Sequence, residues 1–437
     1  MHLALVTVGS LGDVAPIFAL GLKRAGHTVR ILAHESFSPM ASRLGLDLAP
    51  TRAADPRALL ASERFRDAFR AADPFRAWRR FGAIAEETAR AVFADALAAC
   101  EGADAVGCSG LGAFPGYAAA ARLGIPHFGA HLIPIGPTSE FPDPLLPQGL
   151  AWLPGYNWTS HALAAWLVWR SIRPMADRAM ASTGAGRFPP LARMASSSRI
   201  LLFGISPAVV SPPAGWRRAR FTGYWFLDDP TGWKPPPQLQ RFLDQGSPPV
   251  VVGFGSMSTR NPVRTARIVV EALVETGARG ILLSGWGGLR PEELPSQILA
   301  MEHAPHAWLF PRAAAVVHHG GAGTTASALR AGVPSVVVPF AFDQPFWAER
   351  VRRLGAGPAP IPERRLSVGR LARAIRRALE DYRLGQTARA LGECIRSEDG
   401  VGTAVRELEH VLDPAVGSGP RIGLAALGPE TPSQRPQ

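Results

Sequence analysis

HAPHAWLFPRAAAVVHHGGAGTTASALRAGVPSVVVPFAFDQPFW, residues 303–347, decides how the rest of the chain is read. Ala314–Val317 has the apolar run of a buried strand, His318–Gly323 is a glycine-rich turn, and a helix opens at Thr324. A second apolar strand, Ser335–Pro339, follows and is closed by the pair Asp343-Gln344. Strand, glycine turn and helix N-terminus together make a grip for phosphate. Glycines let backbone N–H groups come close, and the first helical turn carries unpaired donors at the positive end of its dipole. His319 adds a donor or a charge, and the N–H groups of Gly321, Ala322, Gly323 and Thr324 line the mouth. Asp343 and Gln344 suit sugar hydroxyls; the alternative is that they only cap a helix. A glycine turn alone often serves nothing but tight packing, and His318 reads as a structural residue at a strand end. The fixed offsets of His319, Thr324, Asp343 and Gln344 are more specific, and they point to a sugar nucleotide.

The segment resembles the donor-binding signature of the UDP-glycosyltransferase superfamily. In that signature a His is followed five residues later by Ser or Thr, then by Gly-Val-Pro, and finally by Asp-Gln. His319, Thr324, Gly332-Val333-Pro334 and Asp343-Gln344 keep those spacings. His303, Pro305 and His306 stand where many relatives carry a Trp-x-Pro-Gln that stacks on the uracil ring. His303 thus replaces the stacking Trp, and Ser327 takes the place of the ribose-binding Glu of plant-type members. Both departures fit the branch of sterol glucosyltransferases and bacterial antibiotic glycosyltransferases, where HHGGAGTT and DQPFW recur. The base stays open between uracil and thymine. The resemblance implies an α/β GT-B fold, two doubly wound Rossmann-like domains facing across a cleft. It also implies no metal and no cofactor beyond the nucleotide-sugar co-substrate.

At 437 residues the chain is long enough for two domains with full cores. Its 47% hydrophobic and 19% charged residues describe a folded rather than a disordered protein. The net charge of +12 rests almost wholly on Arg, with Lys only at 23 and 234. These cations are scattered, with no aromatic-interleaved basic run, so nucleic acid is not the expected partner. Attraction to an acidic lipid surface is left open. Cys100, Cys108 and Cys394 have no metal-ligand spacing and are odd in number, which fits a reducing cytoplasm. The opening MHLALVTVGSLGD lacks a basic leader and reads as a strand. No apolar run reaches the ~18 residues of a membrane span, so a cytoplasmic protein, at most peripheral to a membrane, is expected.

The first 35 residues form a β-α-β unit: LALVTV (3–8), the turn GSLGD (9–13), a helix from Pro16 to Ala25, and VRILA (29–33). Further strands are expected at 105–109, 126–130, 199–206, 250–256 and 280–285, and helices over 57–101, 159–181, 262–276 and 367–380, with a Pro- and aromatic-rich loop at 131–158. Pro-Pro at 212–213 and 248–249 and Pro-Pro-Pro at 235–237 mark a connector. The expected division is an acceptor domain at 1–213, a linker at 214–249, and a donor domain at 250–384. By family resemblance one helix at 385–413 crosses back to the first domain; a disordered tail fills 414–437.

The loop GSLGDVAP (9–16) follows the first strand, where a catalytic group can face the cleft. Many relatives have Gly-His-x-x-Pro here and use the His as general base; Asp13 stands at that place. An attacking hydroxyl must lose its proton as the glycosidic bond forms. The alternative is that Asp13 caps the helix near Pro16, and both roles are compatible. Ser10 orients Asp13 or the acceptor. Gly253, Gly255 and Ser256 either touch the diphosphate or serve packing. On the acceptor side stand His131, Thr138 and Phe141, with Trp152, Tyr156, Trp158, Trp166 and Trp169. Trp166 and Trp169, with Leu163 and Leu167, fit one helical face, for which core packing is favoured over an acceptor groove or membrane contact. The expected activity is inverting, metal-independent transfer of a hexose from a UDP- or TDP-sugar to a lipophilic hydroxyl acceptor: a natural product, sterol or lipid. A non-catalytic accessory of the same fold is the alternative, and the intact Asp13, His319 and Asp343-Gln344 weigh against it. An NAD-dependent dehydrogenase ranks last, because neither glycine turn is a GxGxxG.

Overall fold

The computed structural model describes residues 1–22, 26–53, 55, 58, 62, 88–183, 188–228, 233–255, 261–285 and 294–412. Ser256, the 414–437 tail and most of 57–87 lie outside the described residues. Two all-parallel sheets organise the rest. The first contains β1 (His2–Val8), β2 (Thr28–His34), β3 (Asp47–Thr51), β4 (Ala105–Gly110), β5 (His127–His131), β6 (Leu201–Phe203) and β7 (Ala219–Phe221). Their spatial order is β3-β2-β1-β4-β5-β6-β7. The second contains β8 (Val250–Gly253), β9 (Gly280–Leu283), β10 (Ile298–Met301), β11 (Ala315–His318) and β12 (Ser335–Val337), in the order β10-β9-β8-β11-β12.

Helices cover both faces of such sheets, so central strands are apolar on both sides. Leu3–Val6 of β1 are all buried, as are Ala315–His318 of β11. Leu5 is flanked by Ile31 and Gly107, and Val317 by Val252 and Val336. Strand order reverses between β1 and β4 and between β8 and β11. Open α/β sheets bind ligands beyond the C-terminal strand ends at such reversals. The loops after β1 and β11, singled out in the sequence, sit at those two points.

Several boundaries differ from expectation. The helix after β1 spans Leu11–Leu22, so it starts five residues earlier than Pro16. The donor-segment helix spans Ala322–Ala331. β7 extends the first sheet to Phe221, beyond the boundary at 213, and the helix Pro237–Asp244 buries Leu239 with Val251 and Ile281 of the second domain. The connector is therefore narrower than 214–249. The C-terminal segment is two helices, Tyr382–Ser397 and Gly400–Leu412. The chain breaks where Gly400 presses on the connector: a Cβ there would lie 2.3 Å from the Tyr224 carbonyl oxygen. The first of these helices packs on the second domain, where Gly392 abuts Gly332. Only the second crosses back, burying Ala404, Val405 and Leu408 in one cluster with Val14, Ile17 and Phe18.

The long helix Tyr156–Thr183 corrects the core-packing expectation in part. Leu167 is buried and Trp169 packs on Phe188 at 5.9 Å between ring centroids. Leu163 and Trp166 are exposed.

Candidate active site

Side chains of both domains line a cleft of about 2440 Å³. Along its wall the helix N-terminus after β11 approaches the helix N-terminus after β1. A Cβ on Gly323 would stand 4.0 Å from both the Cα and the carbonyl oxygen of Gly12. Pro16 has no N–H to give the Gly12 carbonyl four residues back, so that oxygen lacks its helical partner.

Asp13 sits in the first turn of its helix. Its Oδ2 accepts the Ser10 backbone N–H at 2.8 Å and the Ser10 hydroxyl at 3.0 Å. Asp13 therefore does not cap a helix beginning at Pro16; from inside the first turn it accepts the N–H of Ser10, as the acidic member of a capping box does, and Ser10 holds the carboxylate. Both bonds fall on Oδ2, which leaves Oδ1 for a proton. Gly9, at φ 148°, is required by the same contact, because a Cβ there would lie 2.3 Å from Asp13 Oδ2. Burial raises the Asp13 pKa above the usual carboxylate value, against the two Ser10 hydrogen bonds.

His319 is buried beside the turn Gly320-Gly321. A Cβ on Gly321 would lie 2.5 Å from its Nε2, and one on Gly255 would lie 3.0 Å from its Cε1. Packing against this ring is thus one reason for both glycines. Burial, with His306 adding, pushes the His319 pKa down to about 4, so the ring is neutral near pH 7. Its Nδ1 is buried without a hydrogen-bond partner among the described residues. His318 is fully buried, and its Nδ1 accepts the Gly320 N–H at 3.1 Å, which is a turn-holding role. Gly321, Ala322, Gly323 and Thr324 all line the cleft, with Gly321 at the helix N-cap position.

Asp343 occupies the N-cap position of the helix Gln344–Arg353, but its side chain makes no capping bond. Instead its Oδ2 accepts the Trp347 Nε1–H at 2.8 Å. That bond explains the Trp of the DQPFW run: fully buried, it aims the carboxylate from one turn away. Gln344 Oε1 accepts the N–H groups of Phe340 and Ala341 at 2.8 and 3.2 Å. Its carbonyl thus anchors the loop, and its amide donors remain for another partner. The loop needs an anchor because Phe342 takes φ 56°, a left-handed conformation unfavourable for a bulky side chain.

His303, Pro305 and His306 line the far wall. His303 is exposed, whereas the His306 ring stacks on Phe310 at 4.3 Å and 15°. On the acceptor side His131 lines the cleft, its pKa lowered to about 4 by burial. Thr138 and Phe141 do not line it. The Thr138 hydroxyl accepts the Glu140 N–H at 3.2 Å, and Phe141 packs on Phe346 at 5.5 Å. Sequence reasoning missed Phe342 and the pair Asp228–Arg330, which also line the cleft. Arg330 grips Asp228 of the connector through both guanidinium ends and lies over the Phe226 ring. A lone Arg near a helix end and an Asp in a Pro-rich stretch carry no spacing that links them.

Residues 288–409 match the family model described as the erythromycin biosynthesis protein CIII-like C-terminal domain. The chain is 34% identical to a sterol 3-beta-glucosyltransferase of Arabidopsis thaliana over 95% of its own length and 68% of the relative's. It is 33% identical to a sterol 3-beta-glucosyltransferase of Penicillium rubens, over 99% of its own length but only 32% of that protein. Among solved structures, the glycosyltransferase of kitacinnamycin superposes with a TM-score of 0.69 at 20% identity, covering 94% of this chain and 98% of that one. The Streptomyces sp. SF2575 glycosyltransferase SsfS6 complexed with thymidine diphosphate gives 0.61 at 21%, covering 94% and 99%. The spinosyn rhamnosyltransferase complexed with spinosyn aglycone gives 0.63 at 16%, covering 94% and 100%. Fold, cleft and these likenesses agree: the chain belongs to the UDP-glycosyltransferase superfamily, in the branch that holds the sterol 3-beta-glucosyltransferases, and is of the GT-B type.

Proposed function

We propose that the protein transfers a hexose, with inversion, from a UDP- or TDP-sugar to a hydroxyl of a lipophilic acceptor, using Asp13 as base. One observation carries the reading. Asp13 and the helix N-terminus at Gly321–Thr324 line one cleft from different domains, where a Cβ on Gly323 would stand 4.0 Å from Gly12, so a single sugar can touch both. The acceptor oxygen attacks the anomeric carbon as the bond to the diphosphate oxygen breaks. The hydroxyl proton passes to Asp13 and then to solvent. The electron pair leaves with the diphosphate, where N–H groups at the helix mouth and the neutral His319 ring would donate to it. The orphaned Nδ1 of His319 supports a polar ligand at that point, since buried polar atoms are rarely left unpaired. In this reading His319 and the helix mouth carry the leaving-group charge, and no metal ion is invoked. Asp343 and the Gln344 amide would take sugar hydroxyls, and His303, Pro305 and His306 the base.

Support for the substrate classes comes from relatives: sterol glucosylation in the names of the curated ones, thymidine diphosphate and an aglycone in two structural neighbours. The deciding experiment incubates purified protein with UDP- or TDP-glucose and pooled lipophilic alcohols. The expected result is released nucleoside diphosphate and a β-glucoside, identified from its anomeric coupling. An α-linked product rules out single inversion, and donor consumption without any glycoside rules out transfer to such acceptors.

A further inference from the structure

We propose that the 150–166 segment docks the protein onto a lipid bilayer bearing anionic headgroups. Trp152, Trp158 and Trp166 are 75%, 57% and 50% exposed, and Leu150, Leu153 and Leu163 beside them are exposed as well. Scattered single apolar residues on a surface need no explanation, but six exposed ones between positions 150 and 166 do. Tryptophan is the side chain best suited to the headgroup region, where its ring is buried and its N–H stays hydrated.

Charge selects the kind of surface. Between Asp143 and Asp177 the chain carries no acidic residue, and its cations are Arg170 and Arg173. Arg173 pairs with Asp177 at 3.3 Å. Arg170 lies 5.8 Å over the Trp166 ring and forms no ion pair among the described residues, so the patch presents a cation next to its indoles. A second copy of the chain fits poorly as the partner. Self-association through this face would bring together two patches that each present Arg170 and no acidic residue, on molecules that each carry +12. No helix among the described residues is long and apolar enough to cross a membrane, so the contact is a peripheral one. The same helix joins the patch to the cleft, since Trp158, Ala162 and Ala165 line the cavity while Leu163 and Trp166 lie outside its lining.

The docking claim is independent of the reaction assigned above, and its test needs no turnover. The protein is sedimented with vesicles of phosphatidylcholine and phosphatidylglycerol, beside the double variant Trp152→Ser/Trp166→Ser and a control, Tyr382→Ser, at an exposed residue of the second domain. Circular dichroism and melting verify that all three are folded. The expected result is vesicle binding by wild type and control, roughly tenfold or more weaker in the double variant, and weaker still on phosphatidylcholine alone. Failure of the wild type to bind overturns the proposal, as does equal binding by the double variant. A lipid-free dimer of wild type that the double variant cannot form also overturns it, because the patch then serves a second copy.

Discussion

Asp343, on the second domain, feels the negative charge of Asp13 on the first. Burial foremost, with that charge adding, holds the Asp343 carboxyl at about 6 in spite of the Trp347 hydrogen bond. Two carboxylates from different domains thus share one solvent-poor space, and each is expected to answer to changes in the other.

Asp13→Asn keeps the size of the side chain and most of its bonding to Ser10 but cannot take a proton. Turnover is expected to fall roughly 10²- to 10⁴-fold with donor affinity unchanged. Asp13→Ala should in addition lower stability by about 0.5–2 kcal/mol through loss of the bonds to Ser10 at the helix start. Wild-type turnover in Asp13→Asn would remove Asp13 from the role of base.

In Asp343 the sign of the pH effect follows from the raised pKa. Below about 6 the carboxyl takes up a proton and loses one acceptor for a sugar hydroxyl. We expect kcat/KM to decline as pH drops through that value, and the acid limb to move in Asp343→Asn, where Asp13 alone of the pair still titrates and activity is low at every pH. An unchanged acid limb in the variant would assign the titration elsewhere.

For His319 the prediction concerns proton counting. The ring is neutral because burial holds its pKa at about 4, and a nearby diphosphate favours the charged form. Binding of UDP at pH 5.5 should therefore take up protons, visible in calorimetry as a heat that varies with the buffer's ionisation enthalpy. His319→Ala should abolish the uptake and weaken UDP roughly 10- to 100-fold. A buffer-independent heat contradicts contact between His319 and the diphosphate.

Two glycine substitutions separate packing from ligand space. Gly321→Ala places a methyl 2.5 Å from His319 Nε2, so it must displace the ring and impair both folding and donor binding. Gly323→Ala meets only Gly12, at 4.0 Å. It should leave the melting temperature equal or higher, since glycine in a helix is unfavourable by roughly 0.5–1 kcal/mol, and yet raise the donor KM. An unaltered KM there would place the diphosphate away from the helix mouth.

Stability against pH is set by opposing groups. His131, His306 and His319 lie near 4 and His318 near 3, all below their unfolded 6.5. Their contribution is intact above 6.5 and is lost as pH falls through about 4. Asp343 works the other way: its folded value exceeds 3.8, so its contribution is full below 3.8 and is lost as pH rises through about 6. Asp13, also raised by burial, acts in the same sense as Asp343, and the four histidines outweigh these carboxyls. The melting temperature should drop by on the order of 5–10 °C between pH 7 and pH 5, a trend that scanning calorimetry can check.

The strands found from sequence are mostly those buried on both faces, where an unbroken apolar run is obligatory. The three that escaped, β3, β7 and β10, are all sheet edges, with short or half-polar sequences such as DLAPT and ARF. Nothing in such a run separates strand from loop until a neighbour pairs with it. At the site, offsets within a single segment brought forward His319, Thr324, Asp343 and Gln344. Relations that span domains, such as Gly12 with Gly323 or Arg330 with Asp228, leave no local trace. Neither does the left-handed Phe342, since phenylalanine is a residue that backbone statistics steer away from that geometry. The solvent-facing half of the 156–183 helix was misjudged because tryptophan spacing marks a stripe without saying which way it looks.

The helix Gly400–Leu412 has a consequence for how the molecule is made. Its Ala404, Val405 and Leu408 complete a first-domain core, most of which comes from the first 46 positions of the chain. While synthesis is under way, Val14, Ile17 and Phe18 wait without their lid until nearly all of the second domain has emerged from the ribosome. The earliest part of the protein to be made is thus among the last to be sealed.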